Sequence, residues 1–243
     1  MSFNPVKDAF SNRELYGSSQ AMTQSGTLAK ISYLFAALAV GAGLGWYLYS
    51  GQSSLMGIAL GGGFILSLVC GIIAVFAPHL TPYVALPYAF GQGITLSIMA
   101  LTLEVVYPGI PLAAVTLSGA TAVAMLLLYR LEIIKVTETL RSVLLTATAA
   151  IAVTYLIVFV SSFFGMNTTS FYQNSSLLSI GFSLFVVGIA AFNLLLDFDL
   201  IEKGEERGLP KFMEWYAAFS LLVTLIWLYL EIVRLLVKLS RRR

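Results

Sequence analysis

The sequence predicts an all-α polytopic membrane protein, and three observations support this fold class. Of its 243 residues, 58% are hydrophobic and only 11% are charged, less than half the share of about 25% in an average soluble domain. The mean hydropathy is +0.88. The apolar residues also gather in seven segments of roughly 20 residues, the length that carries a helix across a bilayer. We therefore expect seven transmembrane helices, with the lipid bilayer as the main partner.

Turn-forming residues separate these segments and set their bounds. Glycine and proline mark three short connections, at 51–54, 78–82 and 107–109, where helices end and the chain reverses. The helices are predicted at 31–49, 55–76, 83–106, 110–129, 143–164, 177–201 and 212–239. Gly41, Gly43 and Gly45 in the first helix are small residues that allow close approach between membrane helices.

The N-terminal 27 residues are polar and contain no apolar run that could serve as a signal peptide. We expect residues 1–27 to form a flexible cytosolic tail and residues 28–243 to form the membrane domain. Lysine and arginine precede the first helix and fill the connections after helices four and six, whereas the connections after helices one, three and five have none. Basic residues are retained on the cytoplasmic side, so the N-terminus is predicted to be cytoplasmic.

The last helix conflicts with this orientation. A full seventh crossing would place Arg234, Lys238 and the basic residues 241–243 outside. Two readings remain open. The nine basic residues on the cytoplasmic side outweigh these five, or the last helix ends in a re-entrant or interfacial segment.

Ionisable residues inside the apolar helices are the candidate functional residues. Asp197, Asp199 and Glu231 lie in the last two helices, where a charged carboxylate at the bilayer centre costs on the order of 3 kcal/mol. Asp197 shares a helix face with Asn193, which favours it as a pore residue. Asp199 lies on the opposite face with other acidic residues, which favours a solvated cytoplasmic face.

Glu231 and two further acidic residues also have structural interpretations. Glu231 could instead form an ion pair with Arg234 at i+3. Glu104 could lie at a pore mouth or at the lipid headgroups. Glu214 precedes Trp215, an aromatic residue typical of the membrane boundary, and is expected there.

Enzyme chemistry is not expected from this sequence. His79 is the only histidine and lies in a tight turn, and Cys70 is the only cysteine. No histidine cluster, Ser-His pair or cysteine metal site can therefore form within the chain. Asp197 and Asp199 lie on opposite faces of one helix and do not form an aspartyl protease pair. A net charge of +2 gives no reason to expect nucleic acid, and no cofactor is expected.

Several stretches together resemble the Bax inhibitor-1/YccA family, also called the transmembrane BAX inhibitor motif family. They are YAFGQG at 88–93, TLEVVYPGI at 102–110, LLDFDLIE at 195–202, MEWY at 213–216 and WLYLEI at 227–232. They occur in the family's order, and the chain is most similar to the bacterial branch.

The resemblance implies seven helices with the last one central, and a pH-sensitive calcium leak or cation channel activity. Asp197 and Glu231 match the helix-six and helix-seven carboxyl pair that acts as pH sensor and gate, with calcium as the transported ion and these residues as its expected binding position. Two close carboxylates in a low dielectric cannot both ionise cheaply, so they share a proton. Asn193, Glu104, Gln92 and Asp199 are the further candidates for the ion path.

Two features of this chain depart from that pattern. Gln92 stands where relatives often have Glu, which makes one possible cation ligand neutral. A simple hairpin between the last two helices places Asp197 and Glu231 at depths that differ by about 13 Å, at 1.5 Å per residue.

An alternative function remains open beside the channel. The protein could be a non-conducting regulator that binds other membrane proteins, such as a quality-control protease, through its polar N-terminal tail. The resemblance also implies a bacterial inner membrane location and a stress-response role. A monomer or weak oligomer is expected.

Overall fold

The computed structural model describes residues 21–52, 54–164 and 176–242 and contains seven α-helices in them. They are α1 (Gln24–Ser50), α2 (Met56–Phe76), α3 (Thr81–Val106), α4 (Ile110–Arg130), α5 (Glu138–Phe163), α6 (Leu177–Glu206) and α7 (Met213–Ser240). All seven are long and apolar enough to cross a membrane. This confirms the all-α membrane class, and the predicted bounds match closely.

Local chemistry explains where the helices begin. The Thr23 side chain accepts a hydrogen bond from the Gly26 amide and caps α1 at its N-terminus. Gly109 adopts φ 81° in the turn before α4, a left-handed conformation that glycine tolerates. Pro111 follows in the first turn of α4, where its missing N–H is not needed.

The N-terminal boundary differs from the sequence prediction. Residues 1–20 of the predicted tail lie outside the described residues, but residues 21–27 are folded. The Met22 amide donates to the Leu209 carbonyl at 2.7 Å, and Met22 is 1% exposed in an apolar cluster with Met213 and Ala217. The predicted boundary after residue 27 is therefore too late, because these contacts come from residues remote in sequence.

The chain divides into two compact units, and the first combines Met1–Leu103 with Asp199–Val223. Close packing of α1 on α3 is its main feature. A Cβ on Gly41 would lie 2.1 Å from the Phe90 carbonyl oxygen, and one on Gly93 would lie 2.1 Å from the Leu38 carbonyl oxygen. Both helices therefore need glycine where their backbones meet, as the sequence predicts for α1.

The second unit combines Glu104–Phe198 with Thr224–Arg243, so it contains α4, α5, most of α6 and the C-terminal part of α7. Small and branched residues line the buried face of α6, including Val186 and Ala190, both fully buried. The rings of Tyr129 on α4 and Phe198 on α6 pack with centroids 6.0 Å apart.

Burial sets α7 apart from the other helices. Every residue from Met213 to Lys238 is buried or half-buried, whereas α2 and α4 expose large apolar side chains such as Ile58 and Leu112. Exposed apolar faces suit contact with lipid. The side chains of α7 are therefore more enclosed than those of α2 and α4.

Candidate functional site

Glu231, in the second unit, is a carboxylate fully enclosed by hydrogen-bond donors. Its side chain is 1% exposed. Its Oε1 atom accepts from the Tyr155 hydroxyl at 2.8 Å and from the Trp227 indole at 3.1 Å. Arg234 Nη1 lies 2.9 Å from Oε1 and 2.8 Å from Oε2. The carboxylate charge is thus met by one cation and two neutral donors.

Helical spacing explains two of these partners, and packing supplies the third. Trp227 and Arg234 lie at i−4 and i+3 from Glu231, so both share its face of α7. Tyr155 comes from α5, and the Arg234 guanidinium lies 4.8 Å from its ring centroid and also donates to its hydroxyl. The i+3 ion pair considered from the sequence is present. Its carboxylate is buried, however, and Tyr155 connects the pair to α5, so it differs from a pair on an exposed helix surface.

Lys238 extends this polar face of α7 by two turns. It is 3% exposed. Its amino group donates to the Ser183 hydroxyl at 2.7 Å and to the Ser179 carbonyl at 3.2 Å, both on α6. The spacing of seven residues from Glu231 could have revealed that the two share a face. No sequence pattern identifies Tyr155.

Asp197 and Asn193 lie on the part of α6 that belongs to the same unit. Asp197, the predicted pore residue, is 5% exposed. The Asn193 amide donates to the Thr148 hydroxyl at 2.9 Å and to the Ile189 carbonyl at 2.8 Å. The bond to Thr148 joins α6 to α5 about one helical turn from Asp197.

These hydrogen bonds also indicate the relative depths of Asp197 and Glu231. Asn193 of α6 and Glu231 of α7 contact α5 at two positions, Thr148 and Tyr155, which are two helical turns apart. Asp197 lies a further turn beyond Asn193, away from the level of Glu231. Asp197 and Glu231 are therefore roughly 16 Å apart along the helix direction. Through α7, the Lys238 contact with Ser183 gives roughly 10 Å. Both routes favour different depths for the two carboxylates, in line with the hairpin argument from the sequence.

Asp199, in the first unit, was expected on a solvated face, and that expectation is wrong. Asp199 is 2% exposed, and its Oδ1 atom lies 2.6 Å from the amino group of Lys203. Lys203 at i+4 covers the carboxylate and keeps its own side chain partly in solvent, at 36% exposure. Helical spacing correctly places Asp199 and Asp197 on different faces of α6, but it cannot show which side chains cover each face.

Two other predicted path residues have local structural partners. Glu104 is exposed, and its carboxylate accepts from the Gly109 amide at 2.8 Å, so it stabilises the turn between α3 and α4. The Gln92 amide lies 3.5 Å from the Tyr88 hydroxyl. Gln92 also lines a groove of about 330 Å³ formed by α2 and α3, whose other walls are mainly apolar, such as Phe64 and Leu68.

Glu214, a further buried carboxylate, lies in the first unit and was expected at the membrane boundary. It is 0% exposed. Its Oε1 atom accepts from the amide and the hydroxyl of Thr23, each at 3.1 Å. Its Oε2 atom lies 3.3 Å from the Lys30 amino group, as an ion pair without a directed hydrogen bond. Glu214 therefore joins the start of α7 to the start of α1.

Comparison with known proteins identifies the family. A sequence model described as Bax inhibitor 1 like matches residues 4–241. The chain belongs to the Bax inhibitor 1-like family. No curated protein and no solved structure matches it. Bax inhibitor 1-like proteins are membrane channels or regulators rather than a known class of enzyme. Across the described residues, no three His, Cys, Asp or Glu side chains converge as a metal site.

Proposed function

We propose that this Bax inhibitor 1-like protein is a pH-sensitive leak path for calcium or other cations, gated by protonation of carboxylates within the membrane. The observation that carries the proposal is Glu231, a carboxylate 1% exposed inside an apolar helix and linked to another helix. Intramembrane carboxylates are costly and mark ion paths or proton relays.

Protonation of Glu231 is the proposed gating step. The ionised carboxylate accepts hydrogen bonds from Tyr155 and Arg234 and so links α5 to α7. A proton removes its charge and the ion pair with Arg234, leaving the guanidinium without its counter-charge. Losing one partner of a fully buried pair costs about 3–5 kcal/mol, and the partial exposure of Arg234 lowers this cost. The Arg234 side chain, 38% exposed, can then turn toward water, which loosens the link between the helices. Acidification should therefore raise the flux.

Asp197 is the proposed cation ligand of the path. Carboxylate and amide oxygens are the ligands that calcium prefers. Asp197 is buried on α6 about one turn from Asn193, whose amide anchors that face to α5. The difference in depth between Asp197 and Glu231 supports separate proposed tasks, with Asp197 as the ion ligand and Glu231 as the proton sensor.

Flux into proteoliposomes that contain a calcium-sensitive dye tests this function. Wild-type flux should rise as the external pH is lowered from 8 to 5. Asp197→Asn should lower the flux at every pH. Glu231→Gln, which copies the neutral state, should remove the pH dependence. Glu132→Gln is the matched control, because Glu132 also pairs with a residue at i+3 but is 75% exposed. Wild-type flux equal to that of empty vesicles throughout would refute the proposal.

The regulatory alternative depends on the N-terminal tail, and residues 1–20 of that tail lie outside the described residues. Met22 and Thr23 pack on the membrane domain, so a deletion that tests partner binding should stop at residue 20. If the regulatory function is correct, this deletion removes co-purifying membrane proteins and leaves any ion flux unchanged.

A further inference from the structure

Lys238 is a buried cation that the proposed gating step does not use. It is 3% exposed, and its amino group binds two neutral oxygen atoms on α6. No carboxylate forms an ion pair with it in the part of the chain that the structure describes. Buried lysines are normally paired. This one therefore requires an explanation beyond packing.

The position of Lys238 relates it to both proposed path residues. Lys238 is two turns from Glu231 on the same face of α7, and Ser183 is four turns from Asp197 on the same face of α6. The contact between Lys238 and Ser183 therefore lies in the α6–α7 seam, the interface between the face of α6 that carries Asp197 and the face of α7 that carries Glu231. Glu231 and Arg234 are the charged groups of α7 that act on Lys238. Tyr155 of α5 and the two serines of α6 are the neutral polar groups of this seam.

The oxygen atoms around the amino group are those that a permeating cation would use. The Ser183 hydroxyl lies 2.7 Å and the Ser179 carbonyl 3.2 Å from Nζ. The Ser179 hydroxyl is also buried and has no hydrogen-bond partner among the residues that the structure describes. Carbonyl and hydroxyl oxygens replace water around cations in conducting proteins. The ammonium group thus occupies a small site built of oxygen atoms.

We propose that Lys238 is a tethered cation that closes one end of the cation path by occupying this oxygen site. The proposal rests on the proposed leak function and adds its blocking residue. The Glu231–Arg234 ion pair is neutral overall, so Lys238 leaves this stretch of the seam with one net positive charge. At an effective dielectric constant of about 20, this charge reduces the occupancy of a calcium ion at Asp197, roughly 20 Å along α6 from Ser183, by about tenfold.

Removal of the Lys238 charge is the first test. Lys238→Met keeps the length and apolar stem of the side chain, and it should raise calcium flux in proteoliposomes by about tenfold. Ser183→Ala removes one tether and should raise flux by a smaller factor. Arg241→Met is the matched control. Arg241 is an exposed cation three residues further along, bound to the Tyr107 hydroxyl at 2.6 Å, and its loss should leave flux unchanged.

If the wild type conducts, the flux of the variants tests the role of Lys238 independently of the leak function. A pH-dependent wild-type flux with an unchanged Lys238→Met variant would overturn the role of Lys238 and leave the leak function standing. An equal rise in Lys238→Met and Arg241→Met would also overturn it, because the effect would then be one of general surface charge.

A second readout does not require flux. Ser183→Cys in a Cys70→Ser background places a single thiol beside Lys238, since Cys70 is the only native cysteine. Two methanethiosulfonate reagents of similar size, one cationic and one neutral, then probe the site. With Lys238 present the cationic reagent should react about tenfold more slowly, and Lys238→Met should remove the difference. Equal rates in both backgrounds, or no reaction in either, would overturn the proposal.

Discussion

Replacement of Glu214 by alanine should destabilise the protein far more than a surface mutation of the same kind. Glu214 is 0% exposed and receives two hydrogen bonds from Thr23, each 3.1 Å long. It also pairs at 3.3 Å with Lys30, whose side chain is 20% exposed. Alanine leaves the capping residue of α1 without its acceptor and a largely buried lysine without its counter-charge.

The magnitude follows from these contacts. Removing one member of a buried ion pair costs about 3–5 kcal/mol, because the other charge stays buried without compensation. Lys30 retains some access to solvent, which limits this penalty. We therefore expect the free energy of unfolding to fall by about 3 kcal/mol, the lower end of the range. Glu214→Gln preserves the side-chain shape and an acceptor for Thr23, so it should cost less than alanine.

The assay compares Glu214→Ala with Glu132→Ala by reversible unfolding in mixed micelles. Glu132 also pairs with a lysine, Lys135, at 3.0 Å, but both side chains are more than two-thirds exposed, at 75% and 71%. Exposed ion pairs contribute about 0–1 kcal/mol. The Glu132 variant should therefore unfold almost like the wild type. Equal losses of stability in the two variants would refute the reasoning, since burial and the contacts with Thr23 and Lys211 separate Glu214 from Glu132.

Three further predictions concern packing and hydrogen bonding, and the same unfolding assay measures each. Gly41→Ala should cost about 1–3 kcal/mol, because its Cβ would lie 2.1 Å from the Phe90 carbonyl oxygen, whereas Gly43→Ala has open space and should be neutral; equal effects would contradict the close approach. Tyr155→Phe should cost about 1 kcal/mol through loss of its 2.8 Å bond to Glu231, and a neutral result would mean that the bond contributes nothing. Met22→Ala should cost about 2–5 kcal/mol, since Met22 is 1% exposed; a cost under 1 kcal/mol would place Met22 outside the core.

The helices could be predicted because their signals are local. Runs of apolar residues and the glycine and proline residues between them placed all seven helices close to their observed bounds. The largest differences are at the start of α1, the end of α6 and the start of α5. Thr23 and Glu214 fix the first through a contact between residues 191 apart in sequence. The second is a charged turn, Glu202–Glu206, that continues as helix beyond the apolar run.

The candidate site could be predicted only in part. The cost of charge in a membrane identified Glu231 and Asp197, and both are buried. Helical spacing offered Arg234 as a partner of Glu231, and the ion pair is present. The same reasoning placed Asp199 in solvent, which is wrong, because a helical wheel gives the face of a residue but not what covers that face.

The sequence by itself determined the membrane class, the number and approximate positions of the helices, the family resemblance and the presence of costly carboxylates inside apolar segments. These are properties of composition and of short stretches of chain. Tertiary structure alone decided that Tyr155 binds Glu231 from 76 residues away, that Lys238 binds Ser183 and that Glu214 holds the start of α1. Such contacts depend on how whole helices pack, and the spacing of residues within one helix carries no information about its neighbours.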